Sequence, residues 1–462
     1  MDIYSDIKYT ISERRTILFR KGIGCDACRG GKKGAEVVDE MDYKVINAKL
    51  LLSAEEGFQI EQKDFWVKDG KITFSETDGA EVVDAKDKLV MPGLINMHTH
   101  AYMTVMRNYA DDVDFGEWLF QRVMPVEDRL PKEGAYWTSL LAFSEMIKTG
   151  TTSFVDMHMF HRQSPQAAKD AGMRGFIGRG LVGEDLYSDG FGRFQEALEE
   201  KREYESSTLK FILSPHAIYS CSTQMLEQVS KEAERQGMLK QIHLSESDTE
   251  VNDCLNKHGK TPVKLLEDIG FLDEKTILAH CVKMCYNDLD ILQASGAHVV
   301  TNPASNAKLG NGFAPISEMR EKGINICIGT DGTASNNTLN MFREMGLLSL
   351  IHKGIKGDST AAPARFVVKA ATENAAKALH MENQLGVIRE GACADLIFVD
   401  LKAASLFPNN NILSSLCYSA NGSEVESVMI DGRFVMRGRR LLTIDTERVY
   451  YEVDKIVKEY LS

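Results

Sequence analysis

Between Met97 and Asp331, short apolar runs alternate with longer amphipathic stretches, the cadence of repeated strand–helix units. Eight runs predict strands. The first four are LVMPGLINMH, closing at His98 and His100; TSFVDMH, closing at His158; RGFIGRGLV, carrying Arg179; and KFILSPH, closing at His216. The others are KQIHLSE, with His243 and Glu246; KTILAHC, with His280; HVVTNPAS, around Asn302; and INICIGTD, closing at Asp331. The segments between them place apolar residues at i, i+3 and i+4 and stop at glycine, as STQMLEQVSKEAERQG does, so they predict helices. Eight parallel strands with helices between them close into a (β/α)8 TIM barrel, whose active groups sit where the strands end. Nearly every strand here ends in His, Glu, Asp or Arg, where a structural strand would end in turn residues. The costly polar groups gather on one face.

Two β-rich pieces flank the barrel. Residues 43–92 hold YKVINAKLLLS, FWVKDGKITFS and AEVVDAKDKLVMPG, separated by Asp-Gly turns, and residues 384–443 hold ADLIFVDL and EVESVMIDGRFVMRGR. Neither piece is large enough for its own core, so the two are expected to pair into one small β-sandwich around a barrel spanning 93–383. Residues 444–462 predict a C-terminal helix, and residues 1–42 are read as an extension. Its Cys25 and Cys28 form a Cys-x-x-Cys with no second pair nearby, which argues against a zinc knuckle.

Composition narrows the partners. Apolar residues make up 43% and charged residues 26% of the 462, the balance of a globular protein. No run approaches the roughly 18 apolar residues of a membrane span, and the first residues lack the apolar core of a signal peptide. Nine irregularly spaced cysteines do not form a disulfide framework, so a reducing cytoplasm is expected. The net charge of −13 argues against nucleic acid or an anionic membrane as the partner, while leaving a small anionic substrate open.

The chemistry concentrates at the strand ends. On a strand, residues i and i+2 share a face, so His98 and His100 can meet one metal ion. His243 and Asp331, from the fifth and eighth strands, complete an N,N,N,O set for a single ion, with zinc first and iron(II) as the alternative. Glu246, three residues beyond His243, is placed to donate or shuttle a proton, against the bland reading of a solvated loop carboxylate. His280 is the candidate electrostatic partner of an attacking hydroxide beside Asp331; its bland reading is a core histidine on a backbone carbonyl. His158 and His161 match no ligand position and are read as loop or surface residues, and Cys281 as a buried thiol.

PGLINMHTHAYM, GTTSFVDMH, SPHAIYSCS, IHLSE, LAHC, NPASNAKLGNG and GTDGTASNN together closely resemble the amidohydrolase superfamily, in its deaminase and chlorohydrolase branch. ADLIFVDL and EVESVMIDGRFV carry the likeness into the tail, over roughly residues 43–442. Binuclear members carry a carboxylated lysine at the end of strand four; here Ser214-Pro215-His216 stands there, which implies one metal ion. The likeness narrows to deaminases of S-adenosylhomocysteine, methylthioadenosine and adenosine. It implies that Glu127, in MPVEDRL, takes the two ribose hydroxyls, and that Arg179 and His216 line the purine and ribose pocket. Arg193, in GFGR, resembles an arginine that contacts the homocysteine carboxylate, although the loop before it departs from the family in length. Trp118, in FGEWLF, is read as a cover on the ligand, against ordinary helix packing.

The implied reaction is hydrolytic. An activated water loses a proton to Asp331 and attacks C6 of adenine, Glu246 protonates a ring nitrogen, His280 stabilises the attacking oxygen, and ammonia leaves. The partner is a nucleoside-like small molecule, and the family's habit of forming dimers or tetramers implies a homo-oligomer. A guanine or pterin deaminase, or a triazine chlorohydrolase, is the alternative on the same fold; Glu127 and Arg179 count against it, because a base without ribose needs no diol clamp. A silent binding barrel would have lost metal ligands. The other zinc class of deaminases needs His-x-Glu with Pro-Cys-x-x-Cys, which this chain lacks.

Overall fold

The computed structural model describes residues 41–188 and 192–461. The extension read for residues 1–42, with Cys25 and Cys28, lies outside them except for Met41 and Asp42. Among the described residues no helix is long and apolar enough to cross a membrane.

Eight parallel strand positions build the barrel. They are β1 (Leu94–Thr99), β2 (Thr151–His158), β3 (Arg174–Leu181), β4 (Leu209–Phe211 and then Ser214–Pro215), β5 (Lys240–Leu244), β6 (Thr276–His280), β7 (His298–Thr301) and β8 (Ile326–Ile328). β1 to β4 pair in order, as do β5 to β8. Bridges Leu213–Lys240 and Ala217–His243 join β4 to β5. The amides of Thr330 and Asp331 donate to the His98 carbonyl at 3.1 and 2.9 Å and close β8 onto β1. Every residue of β1, β2, β3, β5 and β6 is buried, as expected for parallel strands covered on both faces. The fourth strand, read from the sequence as one run, is broken in two; Pro215 in its second half has no N–H to give to a ladder.

Ile95, Val155, Phe176, Ile212, Ile277, Val300 and Cys327, each from a different strand position, form one apolar cluster with Ala375, Ala376 and Leu379. On β5 the side chains of Ile242 and Leu244 join the large outer core, so the alternate residues Gln241 and His243 point the other way.

The β-sandwich joins both ends of the chain. Lys88–Pro92 lies antiparallel to Leu396–Asp400 in a seven-stranded sheet, which also contains Val425–Ile430 and Arg433–Arg437. A four-stranded sheet built from Tyr43–Ile46, Phe65–Lys68, Lys71–Thr73 and Glu81–Asp84 contributes to the same core. Val45, Phe65 and Ile72 pack there with Leu396, Phe398 and Met429. Gly93 separates the sandwich strand from β1, and a Cβ at this position would stand 2.1 Å from the Thr152 side chain. Arg174, at the start of β3, staples barrel to sandwich. Its Nε and Nη2 reach Asp395 at 2.6 and 3.0 Å, and Nη2 reaches Asp431 at 2.9 Å. The helix Thr446–Tyr460 buries Val449, Val453 and Ile456, one face at i, i+4 and i+7, and Arg448 stacks over Trp137 at 4.9 Å.

Candidate metal centre and active site

The strand ends converge as their polar termini imply. His98, His100, His243, His280, Glu246 and Asp331 are all buried at one mouth of the barrel. His100 Nε2 lies 3.2 Å from His243 Nε2 and 3.3 Å from Asp331 Oδ1, while His98 Nε2 lies 3.5 Å from the same Oδ1. Four ligand atoms about 2.1 Å from one centre in a tetrahedron stand about 3.4 Å apart, so these edges fit a single zinc-sized ion. His98 Nε2, fully buried, makes no hydrogen bond. A buried nitrogen aimed at a carboxylate and two imidazoles, with no hydrogen-bond partner, fits a donor set that could hold a metal ion.

Each imidazole is turned by an acceptor on its far side. His98 Nδ1 faces Gln241 Oε1 at 3.2 Å, His100 Nδ1 the Met157 carbonyl at 2.7 Å, and His243 Nδ1 the His216 carbonyl at 2.7 Å. With Nδ1 protonated and donating, Nε2 presents its lone pair inward. His280 follows the same rule, its Nδ1 on Asn306 Oδ1 at 2.8 Å. Asp331 keeps Oδ1 toward the histidines while Oδ2 accepts from Ser305 and Ser335, both at 2.7 Å.

Local backbone explains how these side chains leave their strands. Ser245, directly after β5, His280, at the end of β6, and Asp331, three residues beyond β8, adopt left-handed φ values of 50°, 76° and 62°. Non-glycine residues hold such conformations only where their surroundings enforce them, a pattern concentrated at functional sites.

Burial sets the electrostatics. It pushes His98 down to about 4 and His243 well below its ordinary value, so both are neutral and able to ligate at neutral pH. Burial likewise raises the Glu246 carboxyl. Asp331 is held well below the carboxylate range; burial opposes this, but the His98 and His100 imidazoles facing its Oδ1 prevail. Burial also opposes the rise of His280, which the Glu246 and Asp331 charges carry through. Glu246 Oε2 stands 3.8 Å from His280 Nε2, and its Oε1 accepts from Asn311 at 3.0 Å. A raised carboxyl and a raised imidazole facing each other form a pair suited to proton transfer.

The residues assigned to substrate are distributed around this centre. His216 lies against it, its ring centroid 4.8 Å from that of His243 and its Nδ1 2.8 Å from Ser220 Oγ. Glu127 is half-buried, accepts the Tyr102 hydroxyl, and is pushed up by burial. Arg193 starts the helix Arg193–Tyr204, with Nη1 3.3 Å from the Gly180 carbonyl and 3.7 Å from Met159 Sδ. Arg179, at the end of β3, grips Glu196 of that helix through Nε and Nη2 at 2.9 and 2.8 Å and gives Nη1 to the His158 carbonyl. Trp118 packs in an apolar cluster with Tyr102, Val105 and Met106, its indole N–H on the Ala334 carbonyl at 3.1 Å. His158 is not a surface residue: it is fully buried and pairs with Glu200 at 3.2 Å. His161 is partly buried, its ring 3.7 Å from Glu196 and 3.6 Å from Glu199. Cys281 is buried, and burial raises its thiol.

Gln241, Ser305, Asn306, Asn311, Ser335 and Tyr102 were not singled out from the sequence. Gln241 had a signal, since it precedes His243 by two and shares its face. The others sit on short helices and a loop beyond the strand ends, too short for periodicity to mark them.

The amidohydrolase family model matches residues 89–435. The chain belongs to the amidohydrolase family. Its members are metal-dependent, and this chain is a metal-dependent hydrolase. The chain is 39% identical over 433 residues to a 5-methylthioadenosine/S-adenosylhomocysteine deaminase of Thermoanaerobacter pseudethanolicus, covering 91% of this chain and 100% of that one. It is also 39% identical over 430 residues to a 5′-deoxyadenosine deaminase of Methanosarcina acetivorans, covering 91% and 99% of the two. Among solved structures, an adenosine deaminase from Xanthomonas campestris with bound zinc superposes with a TM-score of 0.86 at 29% identity, over 91% of this chain and 98% of that one.

Proposed function

We propose that this amidohydrolase deaminates the adenine ring of a ribosylated or 5′-substituted adenosine, giving the inosyl product and ammonia. The observation that carries the reading is the buried three-histidine, one-aspartate cluster, with the Glu246–His280 pair beside it. Relatives whose names read deaminase along nearly their whole length support the same chemistry.

In this reading His98, His100, His243 and Asp331 hold one divalent ion, zinc before iron(II), which when bound supplies hydroxide at neutral pH. Asp331 takes the proton from the attacking water. Glu246, raised by burial, delivers a proton to a ring nitrogen as C6 becomes tetrahedral. His280, whose protonated form the Glu246 and Asp331 carboxylates favour against burial, steadies the oxygen that becomes the C6 carbonyl. Glu246, now a carboxylate, passes the remaining proton of the C6 hydroxyl to the exocyclic nitrogen, the bond from C6 to that nitrogen breaks, ammonia leaves, and the proton on Asp331 returns to Glu246.

Glu127 is the acceptor for ribose hydroxyls and His216 a wall of the base pocket. Arg193 with Met159 makes the far end both cationic and apolar, which suits S-adenosylhomocysteine, methylthioadenosine and 5′-deoxyadenosine alike. Arg179 acts by holding the helix that begins at Arg193, and Trp118 by packing the cover.

The test is loss of the adenine absorbance band, with ammonia release, by zinc-loaded protein. The panel is S-adenosylhomocysteine, methylthioadenosine, 5′-deoxyadenosine, adenosine, adenine and guanine. Turnover of the nucleosides and its collapse by about 10²- to 10⁴-fold in Glu246→Gln are expected. Turnover of guanine alone, or none with metal bound, refutes the nucleoside reading.

A further inference from the structure

Glu246 leaves β5 through a strained turn, with Ser245 at φ 50°. Glu250, in the first turn of the helix Asp248–His258, is 3% exposed and reaches back to that turn. Its Oε1 accepts the Ser245 N–H at 2.9 Å and its Oε2 the Glu246 N–H at 2.8 Å. One carboxylate thus takes two consecutive amides. In an ordinary capping box the acid at this helix position would bond the amide of the cap residue, here Ser247. Ser247 does accept the Glu250 N–H at 3.2 Å, but the Glu250 side chain passes the cap and grips the two residues before it. Helix capping alone does not call for that geometry.

The same turn is tied to the one behind His280. The Ser245 carbonyl accepts from the amides of Val282 at 3.0 Å and Lys283 at 2.8 Å, and the Cys281 amide donates to the Leu244 carbonyl at 2.9 Å. His280 and Cys281 are left-handed as well. A continuous path of hydrogen bonds therefore runs from Glu250 through Ser245 to the segment immediately after His280. No ligand of the candidate metal centre lies on it.

We propose that Glu250 is the positioning residue for Glu246 and, through Ser245, for His280, setting the spacing of the two groups that handle protons. This rests on the reading of Glu246 as the proton-transfer group. The carboxylate is required because both of its partners are donors. A glutamine in its place turns an NH2 toward one of the two amides, and an aspartate is one methylene short.

The experiment uses the full-length zinc-loaded chain and the best nucleoside of the panel. Glu250→Gln is expected to lower kcat about 10- to 100-fold, with KM and zinc content unchanged. Amide hydrogen exchange in residues 244–250 rises in this variant whether or not zinc is bound. Glu250→Asp gives an intermediate kcat, and Glu246→Gln combined with Glu250→Gln is no slower than Glu246→Gln alone, because both changes remove one function. The proposal is overturned if Glu250→Gln keeps kcat within about two-fold, if its loss tracks a matching loss of zinc, or if exchange of the turn is unaltered. Full turnover by Glu246→Gln itself strikes the acid–base reading rather than the role of Glu250 alone. Should Glu250→Gln fail to fold, the kcat and exchange of Glu250→Asp decide the question in the same way.

Discussion

Gln241→Leu isolates what a single orienting hydrogen bond contributes to the metal centre. Gln241 Oε1 accepts from His98 Nδ1 at 3.2 Å and its Nε2 donates to the Met97 carbonyl at 3.0 Å, all within the buried barrel. Leucine keeps the volume and removes both bonds. The orphaned Met97 carbonyl is common to the metal-free and metal-loaded forms, so its cost appears in stability and cancels from metal affinity. The His98 proton does not cancel. In the metal-free variant the imidazole can move its proton to Nε2, toward Asp331. A ligating His98 must carry the proton on Nδ1, now buried with no acceptor, which costs about 1–3 kcal/mol. At about 1.4 kcal/mol per decade, zinc affinity falls between about 5- and 150-fold. Competition with a chromophoric chelator at fixed pH measures it, and thermal unfolding of the metal-free protein measures the separate stability term. Zinc affinity within two-fold of the native value, in a variant that unfolds cooperatively, would refute the assignment of His98 as a ligand oriented by Gln241.

Three further outcomes follow from particular contacts. Glu127→Ala is expected to raise KM for the nucleosides by about 10- to 100-fold, the worth of hydrogen bonds to a charged acceptor, and to leave turnover of free adenine unchanged; equal losses on both would remove Glu127 from the ribose. Arg174→Met leaves Asp395 buried without its partner and should destabilise the fold by about 3–5 kcal/mol in urea unfolding, and a loss below about 1 kcal/mol would show that the staple is dispensable. His352, packed against Phe313, is pushed by burial from 6.5 to about 4, so its contribution is complete above pH 6.5 and is lost as pH falls toward and through about 4. Between about pH 7.5 and pH 5 the native protein should lose about 1–2 kcal/mol more than His352→Gln does. Parallel stability–pH curves for the two would contradict that.

What the sequence disclosed and what it hid differ in kind. The barrel was legible because parallel strands covered on both faces must be apolar throughout, which leaves a polar terminus conspicuous: His98, His243, His280 and Asp331 all stand at such ends. The sandwich was legible because half-buried strands alternate and turns carry Asp-Gly. The orienting residues were hidden because their roles depend on contacts across tens or hundreds of positions. Asn306 meets His280 from 26 residues away, and Gln241 meets His98 from 143. Tyr102, next to the His-x-His, reads as one more apolar position until its hydroxyl is found on Glu127. His158 was misjudged for the related reason that its partner Glu200 lies on another element, and a histidine without a visible carboxylate reads as a loop residue.

The pairing of Lys88–Pro92 with Leu396–Asp400 carries a consequence for biosynthesis. The sandwich strand that precedes β1 gains its antiparallel partner only when residues more than about 300 positions further along have left the ribosome, and Asp331, proposed as a ligand, emerges late as well. The strand leading into the proposed centre is therefore fully paired only after Leu396–Asp400 has emerged, and stable metal capture is expected from that point on. Nascent chains stalled before Leu396 should neither retain zinc nor resist protease, whereas chains released at full length should gain both properties together.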